Sequence, residues 1–313
     1  MNETPLVSIV IVNYNAGQQL ATCLRDLAAQ TFTNWELIIV DNASHDGSLA
    51  AAEGLPGVLL VRNPDNRGFA AGQNQGIAAS HGEYVLALNY DVMLPEGFLA
   101  AFMDGMERHP EAGWACCKLL QLASDGQPQG QLYAAGHVLP ANRFALLRGA
   151  GEEDTGQYDR EEYVFGAPGA AALYRRALIE DISLGEQFFD EALFTWYEDV
   201  DVDWRANLRG HRCVYIPSAV AYHAGHVGED YAEPFRSFRA QMTIRNRWLV
   251  VAACETRPSW LRALSACLAY EASLLLYVIR VGLIRPYLRA MAEFAGMLGY
   301  VRRKRSLMHG GRP

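Results

Sequence analysis

This sequence of 313 residues contains neither of two common glycine-rich motifs that bind phosphate groups. No G-x-G-x-x-G follows the first predicted strand, and G-x-x-x-x-G-K-[ST] occurs nowhere in the chain. Their absence argues against a dinucleotide-binding fingerprint and against a P-loop. A phosphate group bound by this protein therefore needs another kind of partner, such as a divalent metal ion.

Cysteine is scarce and shows no metal-binding or disulfide pattern. The six cysteines include no C-x-x-C pair, and Cys116 and Cys117 are expected to point to opposite faces of a strand. The sequence therefore predicts neither a zinc site nor a disulfide framework, and it fits a reducing cytoplasm. The amino-terminal stretch MNETPLVSIVIVNYN is acidic at its start and has a short apolar run, which does not fit a secretory signal.

A long uninterrupted apolar run is also lacking. The most apolar stretch, LRALSACLAYEASLLLYVIRVGLI, is interrupted by Glu271 and Arg280. A membrane-spanning helix needs about 20 mostly apolar residues with few or no charges. The sequence therefore does not predict a membrane span here.

Charge is divided unevenly along the chain, whose formal net charge is −8. Residues 257–313 carry ten Arg and Lys against two Glu, so residues 1–256 carry −16, and this acidic part has no electrostatic footprint for nucleic acid. Leucine-rich helices and the basic run Arg302–Arg305 are typical of a surface that rests on anionic lipid headgroups. The alternatives are a helical cap with a solvated basic tail and a subunit interface.

The first hundred residues alternate between strand and helix patterns. Buried-type runs such as LVSIVIVNY and WELIIVD alternate with helical spacing in QQLATCLRDLAAQ and GFAAGQNQGIAAS, which predicts an α/β protein. Ligands of open α/β sheets bind outside the carboxyl ends of the strands. Polar residues follow four such strands, at positions 13–15, 41–44, 63–68 and 89–91.

One of these strand ends carries an N-x-D pattern. Asn89 and Asp91 are two residues apart, so an extended backbone directs both side chains to the same side. An aspartate there can hold a hard cation that neutralises a leaving diphosphate. The alternative is an ordinary turn, because Asn and Asp are common after strands.

The stretch WYEDVDVDWR places four carboxylates within six residues: Glu198, Asp199, Asp201 and Asp203. Acidic residues favour the first turn of a helix, and EDVDVDWRANLR followed by Gly210 has the pattern of a helix with a glycine cap. A helix start does not explain why aromatic residues precede these acids. Carboxylates beside aromatic residues lose solvation unless a cation or a proton-accepting role keeps them charged.

The motifs VSIVIVNYN, LIIVDNASHDGS, NRGFAAGQNQGI, LALNYDVML, GAPGAAALYRRALIEDI and FFDEALFTWYEDVDVDWR occur in this order between Val7 and Gly228. Together they resemble the inverting GT-A glycosyltransferases of family 2, especially the rhamnosyltransferase-like bacterial branch. The resemblance implies a GT-A (Rossmann-like) mixed, mostly parallel sheet flanked by helices, with a C-terminal helical extension. It also implies transfer of a sugar from a nucleotide diphosphate to an acceptor hydroxyl, with Mg or Mn as the divalent cation.

The same resemblance implies a donor site and a metal site. Asp41 corresponds to the family's aspartate that binds the pyrimidine ring, and Asp91 to its metal-binding aspartate. Asn89 stands where a strict D-x-D has aspartate, which leaves the metal with fewer charged ligands. His223 is expected to be a second metal ligand, and His226 is the less favoured choice. The predicted donor-binding residues are Asn13, Asn15, Asp41, Asn66, Gly68 and Asn89.

The carboxylates of WYEDVDVDWR also receive roles from the resemblance. Asp199 corresponds to the catalytic base, and Glu198 is expected to orient it or to touch the acceptor. Asp201 and Asp203 are assigned only to the start of a helix. We therefore expect the two explanations of this acidic stretch to apply to different residues.

The resemblance divides the chain into three parts: a nucleotide-sugar-binding half at 1–105, an acceptor and catalytic half at 106–245, and the C-terminal amphipathic helices at 246–313. The expected partners are a UDP- or dTDP-sugar, a saccharide or lipid-linked saccharide used in cell-surface polysaccharide synthesis, and the inner face of the cell membrane. Rhamnose is the favoured sugar. The alternatives are an inactive nucleotide-sugar-binding protein of this fold and a sugar nucleotidyltransferase, although NYNAGQQL lacks the glycine-rich basic loop of the latter.

Overall fold

The computed structural model describes residues 4–123, 126–225 and 233–309. The strands are β1 (Val7–Asn13), β2 (Trp35–Asp41), β3 (Val58–Arg62), β4 (Tyr84–Leu88), β5 (Val92–Met93), β6 (Ala112–Leu122), β7 (Pro128–Ala134), β8 (His137–Val138), β9 (Leu146–Leu147), β10 (Glu162–Val164), β11 (Ala171–Arg175) and β12 (Arg212–His223). The helices are α1 (Gln18–Ala28), α2 (Gly68–Ala78), α3 (Phe98–Arg108), α4 (Arg176–Ile182), α5 (Glu198–Arg209), α6 (Phe235–Cys254), α7 (Arg257–Arg280), α8 (Ile284–Gly296) and α9 (Leu298–His309).

The central sheet has the strand order β10-β12-β6-β11-β4-β1-β2-β3. Six of these eight strands run in the same direction, and β10 and β11 run against their neighbours. The mixed, mostly parallel α/β sheet expected from the sequence is therefore confirmed. Its strands β1, β2 and β4 are buried apolar runs, because helices cover both faces of the sheet.

Two apolar layers lie on opposite faces of this sheet. Neighbouring residues of one strand divide between them: Cys117 belongs to the layer with α1 and α3, and Cys116 to the layer with α2, α4 and α5. The opposite orientation expected for this cysteine pair is thus observed. All six cysteines of the chain are buried, and none of them forms a disulfide bond.

The helix predicted from the acidic stretch is present as α5. It ends at Gly210, whose φ of 88° is left-handed and is readily adopted by glycine. Its outer face packs on α6 through Val200, Trp204 and Leu249, so the C-terminal helices cover the helix that carries the acids. The predicted boundaries at 105/106 and 245/246 fall inside α3 and α6, and they remain predictions.

The basic run Arg302–Arg305 is not a uniform solvated patch. Lys304 is buried, and its ammonium group lies 2.6 Å from Asp190 and also contacts Asp201. Arg305 donates hydrogen bonds to three carbonyl oxygens at the end of α6. Only Arg302 and Arg303 of this run are exposed, so half of the run fixes α9 to the rest of the protein.

In the described part of the chain, one helical segment, Pro258–Arg280, is long and apolar enough to cross a membrane by length and composition. Its Glu271 is directed toward the protein, where it pairs with the guanidinium group of Arg247. Leucines on other sides of α7 are exposed, among them Leu261 at 75% and Leu276 at 70%. The helix therefore presents apolar side chains outward although its acidic residue is paired inside.

Candidate active site

A cleft of about 720 Å³ opens at the carboxyl ends of the strands and is bounded on its other side by α5 and α6. Seven of the ten predicted site residues line it: Asn66, Gly68, Asn89, Asp91, Glu198, Asp199 and His223. The structure therefore brings together residues that are up to 157 positions apart in the chain. Asn13, Asn15 and Asp41 do not line this cleft and lie beside it.

The ends of β1 and β2 form a hydrogen-bonded corner around Asp41. The side chain of Asn13 is completely buried, and its amide donates to Asp41 Oδ1 at 2.7 Å. The other carboxylate oxygen of Asp41 accepts a hydrogen bond from the backbone N–H of Ser44. Asn15 is exposed, and its Oδ1 accepts from the N–H of His45. Asn13 therefore fixes the orientation of the Asp41 carboxylate.

Gly68 is required by packing within the protein. Its φ is +85°, which is strained for residues with a side chain, and a Cβ would stand 2.5 Å from the ring of Phe194. Its N–H donates to Asn66 Oδ1, and its carbonyl oxygen accepts from Asn42. Gly68 also lines the cleft, and its predicted role in donor binding remains a prediction. The observed close approach is to Phe194, because the start of α2 packs directly on the segment that precedes α5.

Asp91 and His223 come together at the end of β4. Strand β12 pairs with β5 next to them, which brings His223 Nε2 within 3.1 Å of Asp91 Oδ1. The other ring nitrogen, His223 Nδ1, is buried and has no hydrogen-bond partner among the described residues. Asn89, two residues before Asp91, is held by a hydrogen bond from its N–H to the carbonyl oxygen of Ala170.

This pair of side chains fits a divalent metal ion whose other ligands come from a substrate. One carboxylate and one imidazole suit Mn²⁺, and a cation of this kind commonly keeps one or two carboxylates together with water and phosphate oxygens. Within the described ranges, no three His, Cys, Asp or Glu side chains form a group that could hold a metal. A diphosphate would therefore complete the ligand set. His226 lies outside the described residues.

Asp199 lies at the first turn of α5 and is held by the main chain. Its Oδ2 accepts a hydrogen bond from the N–H of Gly169 at 2.9 Å, and its Oδ1 accepts from the N–H of Val200. The side chain remains 18% exposed and lines the cleft. The carboxylate is therefore fixed in orientation and still accessible to a ligand.

The backbone before Asp199 is strained. Phe194, Trp196 and Tyr197 all have positive φ values, of 65°, 62° and 73°. Such conformations cost of order 1–3 kcal/mol each and persist when the surroundings hold them. The buried amide of Asn246 on α6 does so, because it donates to the carbonyl oxygens of Leu193, Thr195 and Trp196. Sequence reasoning missed Asn246, since RNRW carries no recognisable signal.

Glu198 is the least hydrated carboxyl group facing the cleft. It is 7% exposed, and in the part of the chain that the structure describes its Oε2 has no hydrogen-bond partner. Burial, and then the negative charge of Asp199, raise the pKa of Glu198 to about 8. Glu198 is therefore mainly protonated at neutral pH and can donate a hydrogen bond, whereas an ionised carboxylate can only accept.

The other two acids of α5 have distant partners, which corrects their assignment to a simple helix start. Asp201 is completely buried and pairs with Arg205 at 2.8 Å and with Lys304. Although burial acts to raise the pKa of Asp201, these two cations hold it below its ordinary value. Asp203 is also completely buried and accepts hydrogen bonds from Trp114, Ala167 and His137. Tertiary contacts, rather than the helix end alone, keep these acids in place.

His137 is the second residue of this site that sequence reasoning missed. It lies on β8, and a lone histidine outside any recognisable motif gives no functional signal in the sequence. Its ring is buried between Asp199 and Asp203 and lines the cleft. Only the folded structure shows that it contacts the acids of α5.

Solved structures with a similar fold define the class. A mannosyltransferase of Pyrobaculum calidifontis, in complex with GDP-mannose and Mn²⁺, matches 99% of this chain and 89% of its own chain, with a TM-score of 0.57 and 19% sequence identity. S. aureus TarS matches 98% of this chain and 55% of its own, with a TM-score of 0.60 and 16% identity. The fold is therefore that of the GT-A glycosyltransferases.

Sequence comparison names the family. Residues 8–183, more than half of the chain, match the family described as Glycosyl transferase family 2, and the chain belongs to that family. The N-acetylglucosaminyl-diphospho-decaprenol L-rhamnosyltransferase of Mycobacterium tuberculosis is 29% identical over 259 residues, which cover 73% of this chain and 80% of that protein. The glycosyltransferase class and the resemblance found in the sequence are thereby confirmed.

Proposed function

We propose that this glycosyltransferase moves a sugar, with rhamnose as the first candidate, from a UDP or dTDP donor to a hydroxyl group of a lipid-linked saccharide. The observation that carries the proposal is that Asp199 and the Asp91–His223 pair line one cleft. The mycobacterial relative, named as a rhamnosyltransferase acting on a diphospho-decaprenol substrate, supports rhamnose and the lipid-linked acceptor. Synthesis of a cell-surface polysaccharide is the corresponding process.

The donor occupies the side of the cleft formed by the strand ends. Asp41, oriented by Asn13, accepts a hydrogen bond from the ring N–H of uracil or thymine. Asn15, Asn66, Gly68 and Asn89 surround the remainder of the nucleotide sugar. Asp91 and His223 hold Mg²⁺ or Mn²⁺, which when bound neutralises charge on the diphosphate.

Asp199 is the general base of the transfer. Its carboxylate takes the proton of the acceptor hydroxyl while that oxygen forms a bond to the anomeric carbon. The bond from this carbon to the diphosphate oxygen breaks on the opposite face, and the nucleoside diphosphate leaves with the electron pair. One displacement of this kind inverts the configuration. Glu198, protonated at neutral pH, donates a hydrogen bond to the acceptor and so orients it beside Asp199.

The C-terminal helices hold the enzyme at the cytoplasmic face of the cell membrane. Exposed leucines of α7 supply apolar contact, and exposed arginines supply attraction to anionic headgroups: Leu261, Leu268 and Leu276, with Arg262, Arg280 and Arg285. A lipid-linked acceptor is presented at that surface. Flotation with vesicles of anionic lipid tests this contact, and retention of the protein as a dimer without vesicle binding would instead favour a subunit interface.

The test of function begins with donor binding. Thermal unfolding is measured with UDP and dTDP, with and without Mn²⁺, for the wild type, for Asp91→Ala and for the exposed control Asp104→Ala. A ligand at a hundredfold excess over its Kd stabilises the folded state by about 2.7 kcal/mol. We expect a metal-dependent shift in the wild type and the control that is lost in Asp91→Ala.

Turnover is then measured with the nucleotide sugar and a short-chain lipid-linked saccharide. Formation of an inverted glycosidic linkage, resolved by the anomeric coupling in NMR, supports the proposal. Donor binding without transfer to saccharide or lipid-linked acceptors would favour the inactive binding protein. Release of diphosphate from a nucleoside triphosphate and a sugar phosphate would favour a nucleotidyltransferase.

A further inference from the structure

His137 lies between two carboxylates of α5. Its Nδ1 is 2.7 Å from Asp203 Oδ2, and its Nε2 is 3.8 Å from Asp199 Oδ2. The ring is 4% exposed, and Asp203 is completely buried. The three side chains therefore form a row that leads from the protein interior to the cleft, with Asp199 at the accessible end.

The interior end of this row is rigidly built. Trp114 Nε1 donates to Asp203 Oδ1 at 2.9 Å, and the N–H of Ala167 donates to the same oxygen at 3.1 Å. A Cβ at Gly166 would stand 1.8 Å from Asp203 Oδ2, so only glycine allows Asp203 to reach this position. The backbone N–H of His137 also donates to the carbonyl oxygen of Gly166. The imidazole is thus fixed by both its main chain and its Nδ1 contact.

We propose that His137 is a positioning residue that pairs with the Asp199 carboxylate and keeps it in place as the base, and that Asp203 holds the imidazole for this task. The inference rests on the assignment of Asp199 as the base. In the transfer, the acceptor proton moves to Asp199 and the electron pair of the breaking bond goes to the diphosphate. His137 takes no part in bond making, and its imidazole faces the Asp199 carboxylate at ion-pair distance before the acceptor binds.

The surroundings make such a charge necessary. The other titratable groups that face Asp199, His137 or Asp203 are acids, phenols and a thiol: Glu198, Tyr197, Tyr174 and Cys213. Burial raises the pKa of each of them, so they are mainly uncharged at neutral pH. In the described part of the chain, His137 forms the ion pair that brings a positive charge to Asp199.

The ionisation of His137 agrees with this geometry. Burial alone would lower the pKa of His137, but the charge of Asp199 and the hydrogen bond to Asp203 outweigh it and raise the pKa above its ordinary value. Burial raises the pKa of Asp203 to about 6, against the opposing effect of His137. The two neighbouring carboxyl groups therefore favour the protonated form of His137.

The first test needs no turnover. Coupling between two ionising sites is reciprocal. Because the charge of His137 acts on Asp199, the charge of Asp199 has to act equally on His137. Asp199→Asn should therefore make His137 harder to protonate. Histidine resonances of the wild type and Asp199→Asn are titrated by NMR, and the His137 signal is assigned by its loss in His137→Gln. An opposite charge within about 4–6 Å shifts a pKa by about 1–3 units. We expect the pKa of His137 to be about one unit lower in Asp199→Asn than in the wild type, and the pKa of His211 to be the same in both proteins.

The second test uses the pH profile of transfer. His137→Gln is compared with His211→Gln, which removes a partly exposed histidine paired with Asp181. We expect the acidic limb of kcat/KM to move up by about one unit in His137→Gln, with KM for the donor unchanged. Asp203→Asn should move the limb in the same direction by a smaller amount, because the imidazole loses its buried anionic partner but remains present.

These outcomes separate the inference from the proposed function. If the wild type transfers no sugar, the proposed function fails, and the NMR titration still decides whether Asp199 and His137 are coupled. An unchanged His137 titration in folded Asp199→Asn overturns the inference. A uniform loss of activity at every pH in His137→Gln or Asp203→Asn, with the acidic limb in place, also overturns it, because that is the result of a merely structural role.

Discussion

On the donor side of the cleft, polar residues at the ends of β1 and β2 are fixed by neighbours in the adjacent strand and loop, such as Asn13 on Asp41. On the base side, the acids of α5 are fixed by residues from distant parts of the chain. Lys304 lies 103 positions from Asp201, and Asn246 lies 50 positions from Trp196. Under the proposed assignments, donor recognition is therefore built into the sheet, whereas the base depends on the C-terminal helices.

The largest effect should come from removing the base. We expect Asp199→Asn to lower the rate of sugar transfer by about 10²–10⁴-fold, because a positioned general base contributes a factor of this size. Affinity for the nucleoside diphosphate should stay the same, since Asp91 lies on the other side of the cleft and Asp41 lies beside it. Single-turnover rates and calorimetric titration measure the two quantities.

The matched control is Asp104→Asn, which changes an exposed acid of α3. A loss of less than about tenfold in Asp199→Asn would assign the base to another residue. Equal losses of donor affinity and of rate would mean that the two sides of the cleft are not separable.

The next effect concerns the ion pairs of α9. Lys304→Met leaves the buried carboxylates of Asp190 and Asp201 without their ammonium partner. Removing one member of a buried ion pair costs about 3–5 kcal/mol, so we expect a loss of unfolding free energy of about this size. Denaturant titration measures this loss of free energy. We also expect transfer activity to fall, because the start of α5 loses part of its support.

Arg303→Met is the control, because Arg303 is the exposed neighbour of Lys304. A surface substitution of this kind changes the free energy of unfolding by about 0.5 kcal/mol or less. Equal stabilities of the two variants would contradict the conclusion that α9 supports the base side.

A smaller effect is expected where the two sides meet. Gly68→Ala adds a methyl group against the Phe194 ring and imposes a positive φ on alanine. Strain at such a position costs of order 1–3 kcal/mol, and we expect a loss of stability in this range. Gly97→Ala, at a glycine with open space around its Cβ position and a negative φ, is the control. A variant as stable as the wild type, with weaker nucleotide binding, would mean that Gly68 serves the nucleotide rather than packing against Phe194.

The same contrast between local contacts on the donor side and distant contacts on the base side explains how much could be predicted from the sequence. The local structure at Asp91 and Asp199 could be predicted because each follows a recognisable pattern, the end of a buried strand and the first turn of a capped helix. Their roles were implied by the family resemblance and remain predictions. His137 and Asn246 were missed because their partners are set by packing between β8, α5 and α6. The basic run was misread in part for the same reason, since no spacing rule shows that Lys304 is buried while Arg303 is exposed.

The smallest expected effect tests the protonated carboxyl group at the border of the cleft. Because the pKa of Glu198 is raised to about 8 in the folded protein, its stabilising protonated form is fully present below its ordinary pKa, near 4.5, and is lost as the pH rises through 8. Glu198→Gln imitates the protonated form, so its melting temperature should equal that of the wild type near pH 4, and the variant should become the more stable protein as the pH rises toward 9, by a few degrees. Glu186→Gln, at an exposed position, should leave the pH dependence unchanged. Parallel curves for wild type and Glu198→Gln would mean that Glu198 is ionised at neutral pH, and the base would then share its site with a second full negative charge.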